Sequence, residues 1–589
     1  MCGIAGEVRK NGQADQGRLK AMALALAKRG PDGEGIWMDG VAGFAHRRLS
    51  IVDLSENGKQ PMVSADGRYT VTFNGEIYNY QELRSEFETD SFRSTSDTEV
   101  LLKLFARDGE KMLEKIRGMF AFAIWDKQEQ ALFFARDRIG KKPFFYRDDA
   151  SSFLFASELK AIGALEKFKI DEQAVKLFLG LQYVPSPLTG FVGVKSLEPG
   201  NCGWLKDGNV SITKYLPEES ALNISFEDAG KEVRKLLEES VRLRLIADVP
   251  VGIFLSGGID SSAIAAIAHQ QGIKLSSFTL GFEEAAFDER DQAAELAKRF
   301  GFEHYAFIAK PEDLLAIADD VINQYDAPFA DSSALNTWIL ARETQKHVKA
   351  VLTGDGGDEL FGGYRRYGYF EKALRLKKTG LARSAYHVAR SIGWITRDKR
   401  YDRFAETLTG GYPALFCGAY FQQPEALEFV RSHLNPELDP MAAAMDFDLR
   451  SYLPDDLNVK MDRATMAQGL EARSPLLDQE LVSYVTRLPL EYRYSSKLKK
   501  RLLVEAVKDI LPEEILQRPK RGFQVPLAVW FRGPLRAAFA ERCLDNTKLD
   551  AYVSRAEVIK LVQENDNGSD HGNRLWMLYS LATWLKKYG

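Results

Sequence analysis

One stretch limits the possible folds of this chain more than any other: GIFLSGGIDSSAIAAIA, residues 252–268. A short apolar run of the buried-strand kind enters S-G-G-I-D-S-S and passes straight into an apolar helical run. A strand that ends in a glycine turn at a helix start belongs to a parallel, doubly wound α/β sheet, with the turn at its ligand-binding edge. Gly257 and Gly258 let backbone N–H groups approach an oxyanion, the helix start adds its positive dipole end, and Ser256 and Ser261 offer hydroxyls. A pyrophosphate-type anion suits such a loop, although neither GxxxxGK followed by Ser or Thr nor GxGxxG occurs in the chain. Asp260 beside phosphate requires a cation between them, and hard magnesium prefers carboxylate and phosphate oxygens. A second acidic glycine loop, LTGDGGDELFGGY at 352–364, ends another strand-like run, and its Asp358 completes the expected magnesium site. Taken singly, either loop also reads as a glycine-rich turn with a capping Ser or Asp; the pair favours a ligand site.

The rest of the chain divides by rhythm. From about residue 41 to 215, short apolar or alternating runs such as YTVTFNG, MFAFAIWD, ALFFARD and SFLFASE are broken by turn residues, the pattern of a largely antiparallel β domain. RLKAMALALAKRG and TEVLLKLFARDG carry helical spacing and stop at Gly. After about 216, strand-like and helix-like runs alternate, and beyond about 365 the pattern is mostly helical. Two domains are therefore expected, 2–215 and 216–589. A net charge of −4 offers no basic stripe for nucleic acid, and no run of about 18 apolar residues offers a membrane span. Cys2, Cys202, Cys417 and Cys543 lie far apart without CxxC spacing, so neither a disulfide framework nor a zinc knuckle is indicated and a reducing cytoplasm fits. The expected partners are small molecules.

Cys2 raises a separate chemistry. Removal of the methionine ahead of it puts a thiol and a free α-amine on one residue, a nucleophile with a base whose reference pKa of roughly 8 lies in the working range. Alone, the residue reads equally as an ordinary cysteine; partners must decide.

S-G-G-x-D-S after a strand resembles the signature of the ATP pyrophosphatases, which activate a carboxylate or carbonyl as an adenylate. In chain order, MCGIAG, RGPDGEG, RRLSIVD, FNGEIYN, SDTEV, SGGIDSS, GDGGDE and EARSPLLD resemble the glutamine-hydrolysing asparagine synthetases over nearly the whole length. The resemblance implies an N-terminal-nucleophile αββα sandwich, followed by a doubly wound parallel α/β synthetase domain with a helical C-terminal part. It implies that Cys2 attacks the side-chain amide of glutamine and that Asn74 and the N–H of Gly75 form the oxyanion hole. Arg48 resembles the residue that pairs with the glutamine α-carboxylate, and Asp97 the acceptor of its α-amino group. Leu49, Ser50, Ile51, Val52 and Glu76 fall in the same substrate-binding motifs. By placement alone Asn74-Gly75 is a hairpin signal, a role the pair can combine with catalysis, and Asp97 is a helix N-cap.

In the second domain the resemblance implies adenosine held near Phe254, Leu255 and Leu280, with Thr353 and Gly354 beside the phosphate loop. Asp355 falls where the family carries an acid implicated in adenylate formation, and Lys520 matches the lysine that stabilises the activated intermediate. Composition alone makes Leu280 core and Lys520 one of two adjacent surface charges. The reaction so implied uses glutamine, magnesium-ATP and aspartate and yields asparagine, glutamate, AMP and pyrophosphate, with ammonia crossing inside the protein and a homodimer as the assembly. The same motifs suit an amidotransferase acting on another carboxylate, such as a sugar uronate or a peptide side chain. A non-catalytic sensor or scaffold would have no need of Cys2, Asp260, Asp358 and Lys520 together.

Overall fold

The computed structural model describes residues 2–88, 91–216, 220–284, 288–396, 399–518 and 525–589. The N-terminal unit holds two six-stranded sheets laid face to face. Gly3–Arg9 lies inside the first sheet, between Ala42–Arg48 and Ser152–Ala156. Tyr69–Ile77 and Gly118–Asp126 lie inside the second. Period-2 alternation builds four layers from these strands. Ile4, Phe44, Ala121, Ala123, Trp125 and Phe134 meet between the sheets. Ala5 and Ala45 turn outward under helix Gln16–Ala25, and Phe122, Ile124 and Phe133 turn outward under helix Asp97–Asp108. The αββα sandwich follows directly from that sorting.

Two details differ from the reading of the sequence. Strands begin well before residue 41: Gly3–Arg9 is almost wholly buried on both faces and so shows no alternation, and Gly33–Asp39 is an edge strand of half-buried residues. Asn74-Gly75 makes no turn, because both residues sit inside strand Tyr69–Ile77, opposite Ala121 and Phe120. Asp207-Gly208, with φ of 52° and 74°, does make a hairpin turn, between Asn201–Lys206 and Asn209–Lys214.

Helix Phe226–Arg244, capped by Ser225, opens the second unit. Its sheet has five strands, in the order Glu303–Ala309, Ser276–Phe282, Val251–Phe254, Ala350–Leu352, Glu471–Arg473, all parallel. The chain steps outward from Val251–Phe254 in one direction and then restarts on its other side, so the order reverses between Val251–Phe254 and Ala350–Leu352. Ile253 and Leu352 face the core under helices Phe226–Arg244 and Ile259–Gln270, while Val351 and Phe278 face the core under helix Ser333–Thr344. The short strand Glu471–Arg473, within a region read as helical, closes one edge.

The C-terminal helix Gly572–Tyr588 returns to the first unit, where Trp584 packs on Phe191 with ring centroids 5.3 Å apart. A buried ionic cluster joins the units as well: Arg29 reaches Asp462 at 2.7 Å and Glu158 at 3.1 Å. Among the described residues no helix is long and apolar enough to cross a membrane.

Candidate active sites

Cys2 lies immediately ahead of strand Gly3–Arg9, and its backbone N–H donates across the sandwich to Asn74 Oδ1 at 3.0 Å. That bond orients the amide, leaving Asn74 Nδ2 buried with no partner among the described residues. A buried donor so placed needs an acceptor. Packing dictates Gly75, since a Cβ there would lie 2.1 Å from the Met119 carbonyl oxygen. Burial pushes the pKa of the Cys2 thiol up, against the opposing pull of a backbone hydrogen bond at Leu49 and of the Arg48 charge. The thiol therefore needs a base. His46 is a poor one, because burial drives its pKa down to about 3 and its ring bonds Thr72 Oγ1 at 3.1 Å.

Helix Asp97–Asp108 is capped by Ser96, whose side chain accepts from the Thr98 N–H, so Asp97 is not the N-cap that its placement suggests. Its Oδ2 instead accepts the Ile77 N–H at 2.9 Å, and burial lifts its pKa to about 6. Burial, then the Asp97 charge, raises Glu76 well above the usual carboxylate range. Buried carboxyls whose charges are disfavoured, Glu76 by Asp97 and Asp97 by Glu471, suit an ammonium group between them. The Arg48 guanidinium donates to the carbonyls of Ser55, at 2.9 Å, and Asp53, holding the loop beyond its strand. Ser50 N–H goes to Asp32 Oδ2 at 2.8 Å. Leu49 and Ile51, with Val52 at their edge, join Met119, Leu243, Ala350 and Met466 in an apolar seam between the units.

Glu76 is also a point of contact between the two halves. Arg473 reaches Glu76 Oε2 at 3.2 Å and Glu471 Oε1 at 2.6 Å, and donates to the carbonyls of Arg244 and Ile246. The next residue, Ser474, places its Oγ 2.9 Å from Thr353 Oγ1 and 2.8 Å from Lys141 Nζ. Adjacent residues of one strand end thus touch the Cys2 pocket and the second site.

That second site stands at the reversal of strand order, where both acidic glycine loops leave the carboxyl ends of neighbouring strands. Ser256 and Ser261 bond each other, Oγ to Oγ at 3.0 Å, and Ser256 Oγ accepts the Gly258 N–H at 3.2 Å, so the hydroxyls shape the loop from within. Leu255 donates its N–H to the Phe278 carbonyl at 3.0 Å and accepts from Thr279 Oγ1; Phe254 precedes it, half-buried, and Leu280 is buried on the adjacent strand. Thr353 Oγ1 donates to Asp355 Oδ2 at 2.7 Å. The loops are packed too closely for side chains: a Cβ on Gly354 would lie 3.0 Å from Asp260 Cβ, and one on Gly357 2.4 Å from Asp260 Oδ1.

Asp260 and Asp358 converge on a lysine. Lys500 Nζ lies 2.5 Å from Asp260 Oδ2 and 2.9 Å from Asp358 Oδ1. Burial alone would lower its pKa; the two carboxylates raise it instead. Lys500 sits in KLKKRL, which reads as a solvated face, and nothing in the sequence separates it from its neighbours. Lys141 and Arg473 were equally hidden, since their roles depend on the docking of the units. Lys520 lies outside the described residues. Arg518, two residues before it, donates to the Gly257 carbonyl at 3.1 Å.

Comparison with known proteins places the chain. The Asparagine synthase family model matches residues 232–586 and the Glutamine amidotransferase domain model matches residues 1–216. Glutamine-hydrolysing asparagine synthetase 1 of Bacillus subtilis is 34% identical, with 99% of this chain and 96% of that one covered. A putative glutamine-hydrolysing asparagine synthetase of Mycobacterium tuberculosis is also 34% identical, over 99% of this chain and 97% of its own. A Gibberella zeae protein named Amidase chry2 is 29% identical, over 92% of this chain and 91% of its own. With both halves matched by family models and relatives aligned end to end, the chain belongs to the glutamine-hydrolysing asparagine synthetase family.

Proposed function

We propose that this protein amidates aspartate to asparagine at the expense of ATP, using ammonia released from glutamine at a second site in the same chain. The observation that carries the reading is the joint presence of the Cys2–Asn74 pocket and the Asp260–Asp358 loops on either side of Arg473 and Ser474.

At the first site Cys2 Sγ adds to the glutamine amide carbon, and the Cys2 α-amine takes the thiol proton and passes it to the departing ammonia. Asn74 Nδ2 and Gly75 N–H hold the developing oxyanion. Glu76 and Asp97 receive the α-ammonium, Arg48 the α-carboxylate, and the segment Leu49 to Val52 closes the pocket. Water then cleaves the thioester to glutamate.

At the second site an aspartate β-carboxylate oxygen attacks the α-phosphorus of ATP and pyrophosphate leaves; ammonia then attacks the acyl carbon and AMP leaves. Backbone at Phe254, Leu255 and Leu280 takes the adenosine, and the loop Ser256 to Ser261 with Thr353 and Gly354 takes the phosphates. Asp355, oriented by Thr353, serves adenylate formation, and Lys520 stabilises the intermediate. Asp260 and Asp358 fit magnesium, because their oxygens already converge on one cationic nitrogen and a hard cation completes its shell with phosphate and water. Held by Asp260 and Asp358, a magnesium ion would supply positive charge against the leaving pyrophosphate. The apolar seam of Leu49, Ile51, Met119 and Met466 offers ammonia a route on which it stays unprotonated. Domains at 2–215 and 216–589 and a cytoplasmic homodimer complete the proposal.

The test is to supply purified protein with magnesium-ATP, glutamine and a panel of acids, and to follow pyrophosphate. Release is expected with aspartate alone. Release only with a uronate or a peptide carboxylate transfers the reading to an amidotransferase of the same build, and release with no acid supports a non-catalytic relative. A second expectation concerns pH. Protonated Asp97 cannot pair with an ammonium, so below about pH 6 the KM for glutamine should rise, by up to about tenfold per pH unit. Asp97→Asn should flatten that profile at a higher KM. A wild-type KM that stays level between neutral pH and pH 5 would remove Asp97 from the α-amino site.

A further inference from the structure

We propose that Lys500 is the resident counter-ion of the Asp260–Asp358 pair, an internal cation that keeps a free divalent ion out of the synthetase site until nucleotide arrives. The inference rests on the reading of Asp260 and Asp358 as the metal-binding carboxylates.

Three remote segments build this arrangement. The Lys500 ammonium contacts one oxygen of each carboxylate, at 2.5 Å and 2.9 Å, and the lysine is 5% exposed. Its backbone has φ of 51°, a left-handed conformation that a side chain with a Cβ rarely adopts, at the residue just ahead of helix Arg501–Val507. Such strain persists where the surroundings require it. Room for the pair is made by a glycine: a Cβ on Gly363 would lie 2.0 Å from Asp358 Oδ1 and 2.2 Å from Lys500 Cε. Gly357 does the same for Asp260, where a Cβ would lie 2.4 Å from Oδ1. The strained lysine and the two glycines that admit its partners are hard to account for if the lysine merely caps a helix.

Two carboxylates held this close need positive charge, and the ammonium supplies it from within the fold. A divalent ion would have to take the same oxygens, and arriving alone it would leave a buried ammonium facing a dication. A metal-bound triphosphate changes the balance, because its oxygens give the ammonium an anion to turn to as the metal takes the carboxylates. Metal therefore enters with nucleotide and not ahead of it.

Manganese is a suitable probe, as a hard divalent ion whose free and bound forms are distinguished by electron paramagnetic resonance. Nucleotide-free wild-type protein should leave manganese free, and addition of α,β-methylene-ATP, which cannot release pyrophosphate, should create one site per chain. Lys500→Met and Lys500→Gln should each bind one manganese without nucleotide, at least about tenfold tighter than wild type, because each removes the ammonium that occupies the carboxylate oxygens. Asp358→Asn added to either variant should abolish that site. Undiminished glutamine hydrolysis by the variants attests their folding. One manganese bound by nucleotide-free wild type in an Asp358-dependent manner overturns the counter-ion proposal and leaves the metal reading intact, as does failure of both folded Lys500 variants to gain a site while wild type with nucleotide has one. Absence of any site that depends on Asp260 or Asp358, with or without nucleotide, overturns both.

Discussion

Cys2→Ala is expected to end glutamine-dependent synthesis entirely while ammonium salts continue to support it at a near wild-type rate. In the proposed mechanism the thiol serves only nitrogen release: its residue sits in the first sandwich, bonded to Asn74, while the acidic glycine loops belong to a different sheet. Alanine keeps the backbone N–H that donates to Asn74, so the pocket and its orphan amide should persist and only the nucleophile is lost. Glutamate release by the purified variant should fall below detection, with pyrophosphate release from ATP, aspartate and ammonia retained. Glutaminase activity surviving the substitution would sink the assignment. The same chemistry requires an active preparation whose chain begins at Cys2. A mass spectrum with Met1 retained throughout would refute the α-amine as base.

Lys520→Ala should be nearly as damaging, and to the other half-reaction. If Lys520 stabilises the activated intermediate as proposed, its single charge at a developing anion is worth roughly 3–4 kcal/mol in the transition state, so pyrophosphate release should fall by about 10²–10³-fold. ATP binding should change far less, because the interaction strengthens only as charge develops. Glutamine hydrolysis should continue. Lys520→Arg separates charge from geometry, and poor rescue is expected of a planar guanidinium in place of a compact ammonium. Arg521→Ala, one residue along, should be nearly silent. Wild-type turnover by Lys520→Ala with saturating ammonia would return the lysine to the surface.

Much of this architecture was legible because it is local. The strand, glycine loop and helix around Gly257 and Gly258 follow one another in the chain, and so do Asp355 and Asp358. Other features were invisible for an equally physical reason. Strand Gly3–Arg9 is buried on both faces, which erases the alternation that announces a strand. Asn74-Gly75 carries the chemistry of a turn but is held straight by Ala121 and Phe120 on the neighbouring strand. Asp97 looks like a cap because a carboxylate at a helix start usually is one; the preceding serine takes the duty and releases it. Lys500, Arg473 and Lys141 owe their roles to partners hundreds of residues away, and no local pattern encodes such distance.

The guanidinium of Arg473 and the carboxylate of Glu76 lie 397 residues apart in the chain, and that separation bears on how such proteins can be recombined. A glutaminase half grafted from a relative must bring an acid to position 76, or it leaves a fully buried arginine with Glu471 but one partner fewer, a loss of about 1–3 kcal/mol. The graft can carry every residue its own chemistry needs and still fail at the seam. A swap of the two halves therefore has to carry position 76 and the Arg473 strand together.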